Sequence, residues 1–116
     1  MVASALGAEA AVSSFGCAAL ATVVISRAYQ LIEDPDHWTT FALARDASGV
    51  ACRPETQHAV RFCARGALYR AARDICPDGF TALFKTVAWS LPWLALVNDL
   101  RGHAAVLRRL KKALDS

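Results

Sequence analysis

The sequence lacks most of the patterns that announce a chemistry. It has no glycine-rich phosphate loop, no G-x-S-x-G elbow, no H-E-x-x-H and no spaced carboxylate pair. Nothing therefore marks it as a phosphate-loop nucleotide binder, a serine hydrolase of the elbow type or a helix-borne zinc protease, and the reading leans away from an enzyme. Charge is scarce too, with 13 Lys or Arg and 10 Asp or Glu among 116 residues. A chain that is 55% hydrophobic, with a mean hydropathy of +0.29, has enough apolar material to offset its ordering entropy, which excludes intrinsic disorder. The length accommodates one core but not a second domain of ordinary size, and no internal repeat or long linker divides it.

Cysteines are present but show no pairing pattern. Cys17, Cys52, Cys63 and Cys76 stand ten or more residues apart, without a C-x-x-C knuckle. Cys52, His58, Cys63, Cys76 and His103 are zinc-competent ligand types in a spacing that zinc sites do not use, so neither a metal nor another cofactor is expected. The cysteines read as reduced thiols of a cytoplasmic protein.

What is abundant is alanine, 24 of 116 residues, and an uncharged run of 17, Ala10 to Ser26. That run approaches the length of a membrane span. It has no basic residues before it, as a secretory signal would, and its second half is amphipathic. Leu20, Ala21, Val24, Ile25, Ala28, Leu31 and Ile32 recur at helical spacing, with Thr22, Ser26, Tyr29, Gln30 and Glu33 opposite. A soluble helix is expected over 18–33, ended by Asp34-Pro35-Asp36, and no membrane partner. Residues 1–17, rich in Ala, Ser and Gly, are expected to be a flexible extension before a single helical domain over 18–116.

Beyond the first helix, two short strands are expected around Asp46-Ala47-Ser48-Gly49, with Gly49 supplying the positive φ of the turn. A second helix is predicted from about residue 55 to 74, with Val60, Ala64, Ala67, Leu68 and Ala71 buried and Arg61, Arg65, Tyr69 and Arg73 outside. Gly66 in its middle weakens a helix, which implies close approach of another backbone. Phe80, Leu83, Phe84, Val87 and Ala88 mark a third helix, interrupted or restarted at Leu91-Pro92-Trp93. Asn98, Asp99 and Gly102 read as a loop before a last helix with His103, Val106, Leu107, Leu110 and Leu114 on one side and Arg108, Arg109, Lys111 and Lys112 on the other. The fold class is mainly α (α+β), a compact bundle of four or five helices with a small β-hairpin after the first.

Three stretches between Arg27 and Ala72 carry a family likeness: RAYQLIEDPDHW, ARDASG and AVRFCARGAL. With the later Val97-Asn98-Asp99 and the run Gly102 to Leu107, they resemble a family of small uncharacterised bacterial and phage proteins. Its pattern is a helix ending in LI, a Trp, an A-x-D-x-x-G hairpin, a W-C-A-x-G-A-L helix, an N-D loop and an H-x-x-V helix. Phe62 stands where that family has Trp. The resemblance spans about residues 22 to 114 and implies a bacterial or phage setting. The family is a domain of unknown function, so it assigns no catalytic residue.

Three functional readings follow from the residues themselves. Cys63, His103 and Asp99 (or Asn98) are the types needed for a cysteine-nucleophile hydrolase or transferase, with Arg70 on nearly the same helix face to lower the thiol pKa. Residues 1–44 carry one base against four acids and residues 45–116 twelve against six. Arg61, Arg65 and Tyr69 and the last helix's Arg108, Arg109 and Lys112 could therefore face nucleic acid or an acidic partner. Trp38, Trp89 and Trp93 are expected to supply much of the core, with Trp38 and Trp93 partly exposed as anchors for a protein partner or a homo-oligomer. The preferred expectation is a small interaction or accessory protein.

Overall fold

The computed structural model describes residues 17–115; the extension expected before them lies outside the described residues. Helix α1, Cys17–Ile32, buries the predicted stripe through Val24, Ile25, Ala28 and Ile32. It stops before Pro35, and a single 3-10 turn, Pro35–His37, follows, with the Asp34 carboxylate accepting from the Asp36 amide.

The expected hairpin forms as β1 (Ala44–Arg45) and β2 (Ala51–Cys52), pairing Ala44 with Cys52 and Arg45 with Ala51. Asp46 builds the turn, its carboxylate accepting from the amides of Ser48 and Val50, with Gly49 at φ 85°. A third strand, β3 (Arg61–Phe62), pairs with the other edge of β1 and completes a sheet in the order β2-β1-β3.

That strand corrects the predicted second helix, because residues 55–63 are not helical. Helix α2 is Ala64–Ile75. The preceding segment is spoken for by longer-range bonds: the Val60 amide donates to the Arg45 carbonyl and the Cys63 amide to the Leu43 carbonyl. Arg70 donates to the carbonyls of Pro54 and Thr56, and Arg73 to that of Glu55. A helix over the same residues would have to give up these tertiary partners, so local periodicity loses.

Helix α3 spans Phe80–Ser90 and buries Leu83 and Val87. Tyr69 meets its Phe80 and Phe84 edge-on, with centroids 5.2 Å apart in both pairs. After Leu91-Pro92-Trp93 the chain turns by 65° into α4, Leu94–Arg101. Asn98 and Asp99, expected in a loop, therefore lie inside a helix, and only Gly102, at φ 93°, separates α4 from α5, His103–Asp115. Among the described residues, five helices and a small sheet surround one core, as expected of a mainly α chain. Helix α1 is its central element, packing on α2, α3 and α5. Among the described residues, no single helix is long and apolar enough to cross a membrane.

The core is aliphatic and small rather than aromatic. Ala28, Ala44, Ala64, Ala67, Ala71 and Ala72 have no exposed surface. Trp89, expected to help fill the core, is instead 89% exposed, while Trp93, expected to be partly exposed, is 74% exposed. Alanine lets α1 and α2 approach closely, which leaves little room between them for large rings.

Candidate functional site

Two features stand out, a polar junction within the fold and an apolar surface outside it. The junction centres on Asn98, which has no exposed surface. Its Oδ1 accepts from Trp38 Nε1 at 2.7 Å and from the Ala64 amide at 2.9 Å, while its Nδ2 donates to the Thr39 carbonyl at 3.1 Å and to Asp99 Oδ1 at 3.0 Å. Asp99 Oδ1 in turn accepts from the Phe41 amide. His103 stacks at a tilt on Trp38, centroids 5.3 Å apart, and its Nε2 donates to the Ile32 carbonyl at 2.6 Å. That bond ties the first turn of α5 to a carbonyl left open at the end of α1.

Cys63 borders this junction as the N-cap of α2, its Sγ accepting from the Gly66 amide at 3.2 Å. Its backbone is extended (φ −76°, ψ 171°), so the expected mid-helix position is corrected to a helix start. Burial pushes the thiol above its ordinary range. The amides of Gly66 and Arg65 oppose that rise without cancelling it, Asp99 adds to it, and Arg65 acts against it. Arg70, proposed as the activating cation, is turned away toward Asp74, Pro54 and Thr56. Among the described residues, the bonds made by Cys63, His103 and Asp99 run to other partners: Gly66, Ile32, and Asn98 with Phe41.

This environment sets how Cys63 should react. A raised pKa keeps the thiol protonated at neutral pH, and the stability tied to it is full below the unfolded thiol's pKa, near 8.5, and lost as pH rises through the folded value. Iodoacetamide at neutral pH should therefore label the half-buried Cys52 and Cys76 well before Cys63, read by peptide mass mapping. Labelling of Cys63 first, in the folded chain, would instead reveal an activated thiolate.

The predicted basic face of α2 is not one surface. Arg61 lies on β3 and donates to the Asp36 carbonyl, Arg73 pins the loop at Glu55, and Tyr69 is half-buried against α3. Arg65 and Arg73 stay exposed, the Arg65 guanidinium 5.5 Å from the centre of the Phe84 ring. On α5, Arg108 and Lys112 are exposed and Arg109 is half-buried, the last two lining a shallow depression with Ile25 and Ser90. No group of three His, Cys, Asp or Glu among the described residues is placed to hold a metal ion.

The apolar surface lies at the bend between α3 and α4. Trp89 precedes it, Trp93 sits within it, and Leu96 and Leu100 continue at i+3 and i+7 from Trp93, 50% and 71% exposed. Between this stripe and the start of α2 runs an open groove of about 480 Å³, with Arg65 in its wall and Leu68 among its lining. Trp93 caps α4 in a left-handed conformation at φ 65°. Phe41, 73% exposed, is also left-handed at φ 60°, held by the bond from its amide to Asp99 near the other end of α4. A bulky residue at positive φ costs about 1 to 3 kcal/mol that glycine or asparagine would largely avoid. Trp89 is expected in the core, and the signal that would have placed it outside is its position off the Phe80-Leu83-Phe84-Val87 stripe; nothing local marked Phe41.

A family described only as a family of unknown function (DUF6197) matches residues 18–116. The chain belongs to that family, in agreement with the resemblance read from its motifs. Neither a curated protein nor a solved structure matches it.

Proposed function

We propose that the protein is a small interaction or accessory module that binds a protein partner through the α3–α4 bend. The observation that carries this reading is the placement of Trp89, Trp93, Leu96 and Leu100 in one exposed stripe while alanines fill the core. Burying large apolar side chains is the main favourable term in folding. A chain that exposes two indoles, one of them on a strained backbone, forgoes that gain, as contact surfaces do. A cytoplasmic setting in a bacterium or phage-infected cell belongs to the same reading, supported by Cys52, Cys63 and Cys76 standing as free thiols.

The test is photocrosslinking in cells of the source organism, with a photoreactive amino acid replacing Trp89 in one strain and Lys111, on α5, in another. A discrete protein adduct from position 89 and none from 111 is expected. Equal or absent adducts at both positions would remove the reading.

A further inference from the structure

Charge around the apolar stripe narrows what can cover it. Lys85 lies one helical turn before Trp89, Arg101 follows Leu100, and Arg65 stands in the groove wall; all three are exposed. Among the described residues none of them forms an ion pair, since the pairs present are Arg27–Asp74, Arg53–Glu55 and Arg70–Asp74. Helices α3 and α4 together contain one acid, Asp99, and its Oδ1 is committed to Asn98 and the Phe41 amide. The stripe is thus apolar, with a rim that sets three cations against one hydrogen-bonded carboxylate.

Such a rim disfavours a second copy of the chain, because a two-fold contact would set like charges against one another. The two indoles supply up to about 400 Å², roughly half of what one partner contributes to a standard stable interface. The bent α3–α4 pair has the length and composition of a broken membrane span. A planar bilayer would cover the exposed indoles but leave unfilled the groove behind them, which reaches buried Leu68.

Resting on the interaction reading above, we propose that the groove receives an amphipathic helix of an acidic partner protein. Its apolar residues at i, i+3 or i+4 and i+7 lie along Trp89, Trp93 and Leu96, and a carboxylate beside them pairs with Arg65. About two turns of such a helix cover Trp89 to Leu96, and Arg65, already ordered over Phe84, loses little freedom on pairing.

The experiment is selection of a phage-displayed library of random helical peptides against the immobilised chain, with a Trp89→Ser, Trp93→Ser double variant as counter-target. Both indoles are solvent-exposed, so the variant should keep its fold, checked by circular dichroism. Enriched peptides should share the apolar spacing and an excess of Asp and Glu. Arg65→Glu should weaken them about tenfold, and selection repeated on Arg65→Glu should enrich Lys or Arg at the position of the former acid. Trp-dependent peptides without acidic bias, or indifferent to Arg65→Glu, overturn the partner chemistry and leave the interaction surface standing. No Trp-dependent enrichment sinks both. Trp93-dependent binding to phosphatidylcholine–phosphatidylglycerol vesicles, or a dimer broken by Trp93→Ser in sedimentation, would replace the proposed occupant with a lipid surface or a second copy.

Discussion

Gly66→Ala should destabilise the protein by about 3 kcal/mol, lowering its melting temperature on the order of 15 °C. The opposite would be expected of an ordinary helix, where alanine gains about 1 kcal/mol over glycine. Here a Cβ on residue 66 would lie 1.8 Å from the Leu43 carbonyl oxygen and 2.7 Å from its carbon. Both atoms are backbone, and the same oxygen accepts from the Cys63 amide at 3.1 Å. Leu43 cannot retreat without dragging Ala44, which has no exposed surface and pairs with both β2 and β3. Overpacking therefore exceeds the propensity gain. Urea unfolding of the variant decides the matter, and unchanged or raised stability would mean that β1 and α2 are not in this contact.

Asn98 is the second position where a small change should have a large effect. Asn98→Asp keeps the shape but turns two donated bonds into contacts between acceptors, setting a carboxylate oxygen against the Thr39 carbonyl and Asp99. In a site with no exposed surface this should cost about 3 to 5 kcal/mol. Asn98→Leu removes the charge problem but strands the Ala64 amide, one of the orphan donors at the start of α2, and the Trp38 indole. It should cost about 2 to 4 kcal/mol. Calorimetry of both variants tests the junction, and a loss below about 1 kcal/mol in each would show that water or another group serves these partners equally well.

How much of this was legible in the sequence depends on the range of the interaction. Helices α1, α3 and α5 follow from apolar spacing because burial of one face decides them locally. Gly66 also signalled its role, since a residue that costs helix stability in mid-helix needs a reason nearby in space. The late start of α2 was hidden because Val60, Ala64 and Ala67 keep a helical period across a boundary that only pairing with Arg45 and Leu43 creates. Asn98 gave no local sign of being a hub. Its partners at Ala64, Thr39 and Trp38 lie 34, 59 and 60 positions away along the chain. The apolar surface was only half visible: Trp93 beside Pro92 was identifiable, whereas Trp89, expected in the core, lies off the buried stripe of α3.

The division of the three tryptophans also gives the protein built-in optical reporters. Trp38 is hydrogen-bonded to Asn98 and half-buried, so its emission registers whether the chain is folded. Trp89 and Trp93 face solvent, so their emission should resemble that of free indole, with unfolding changing it little and coverage of the bend shifting it to the blue. Coverage of the bend and unfolding can thus be followed in one unlabelled sample, through two sets of chromophores that answer to different events.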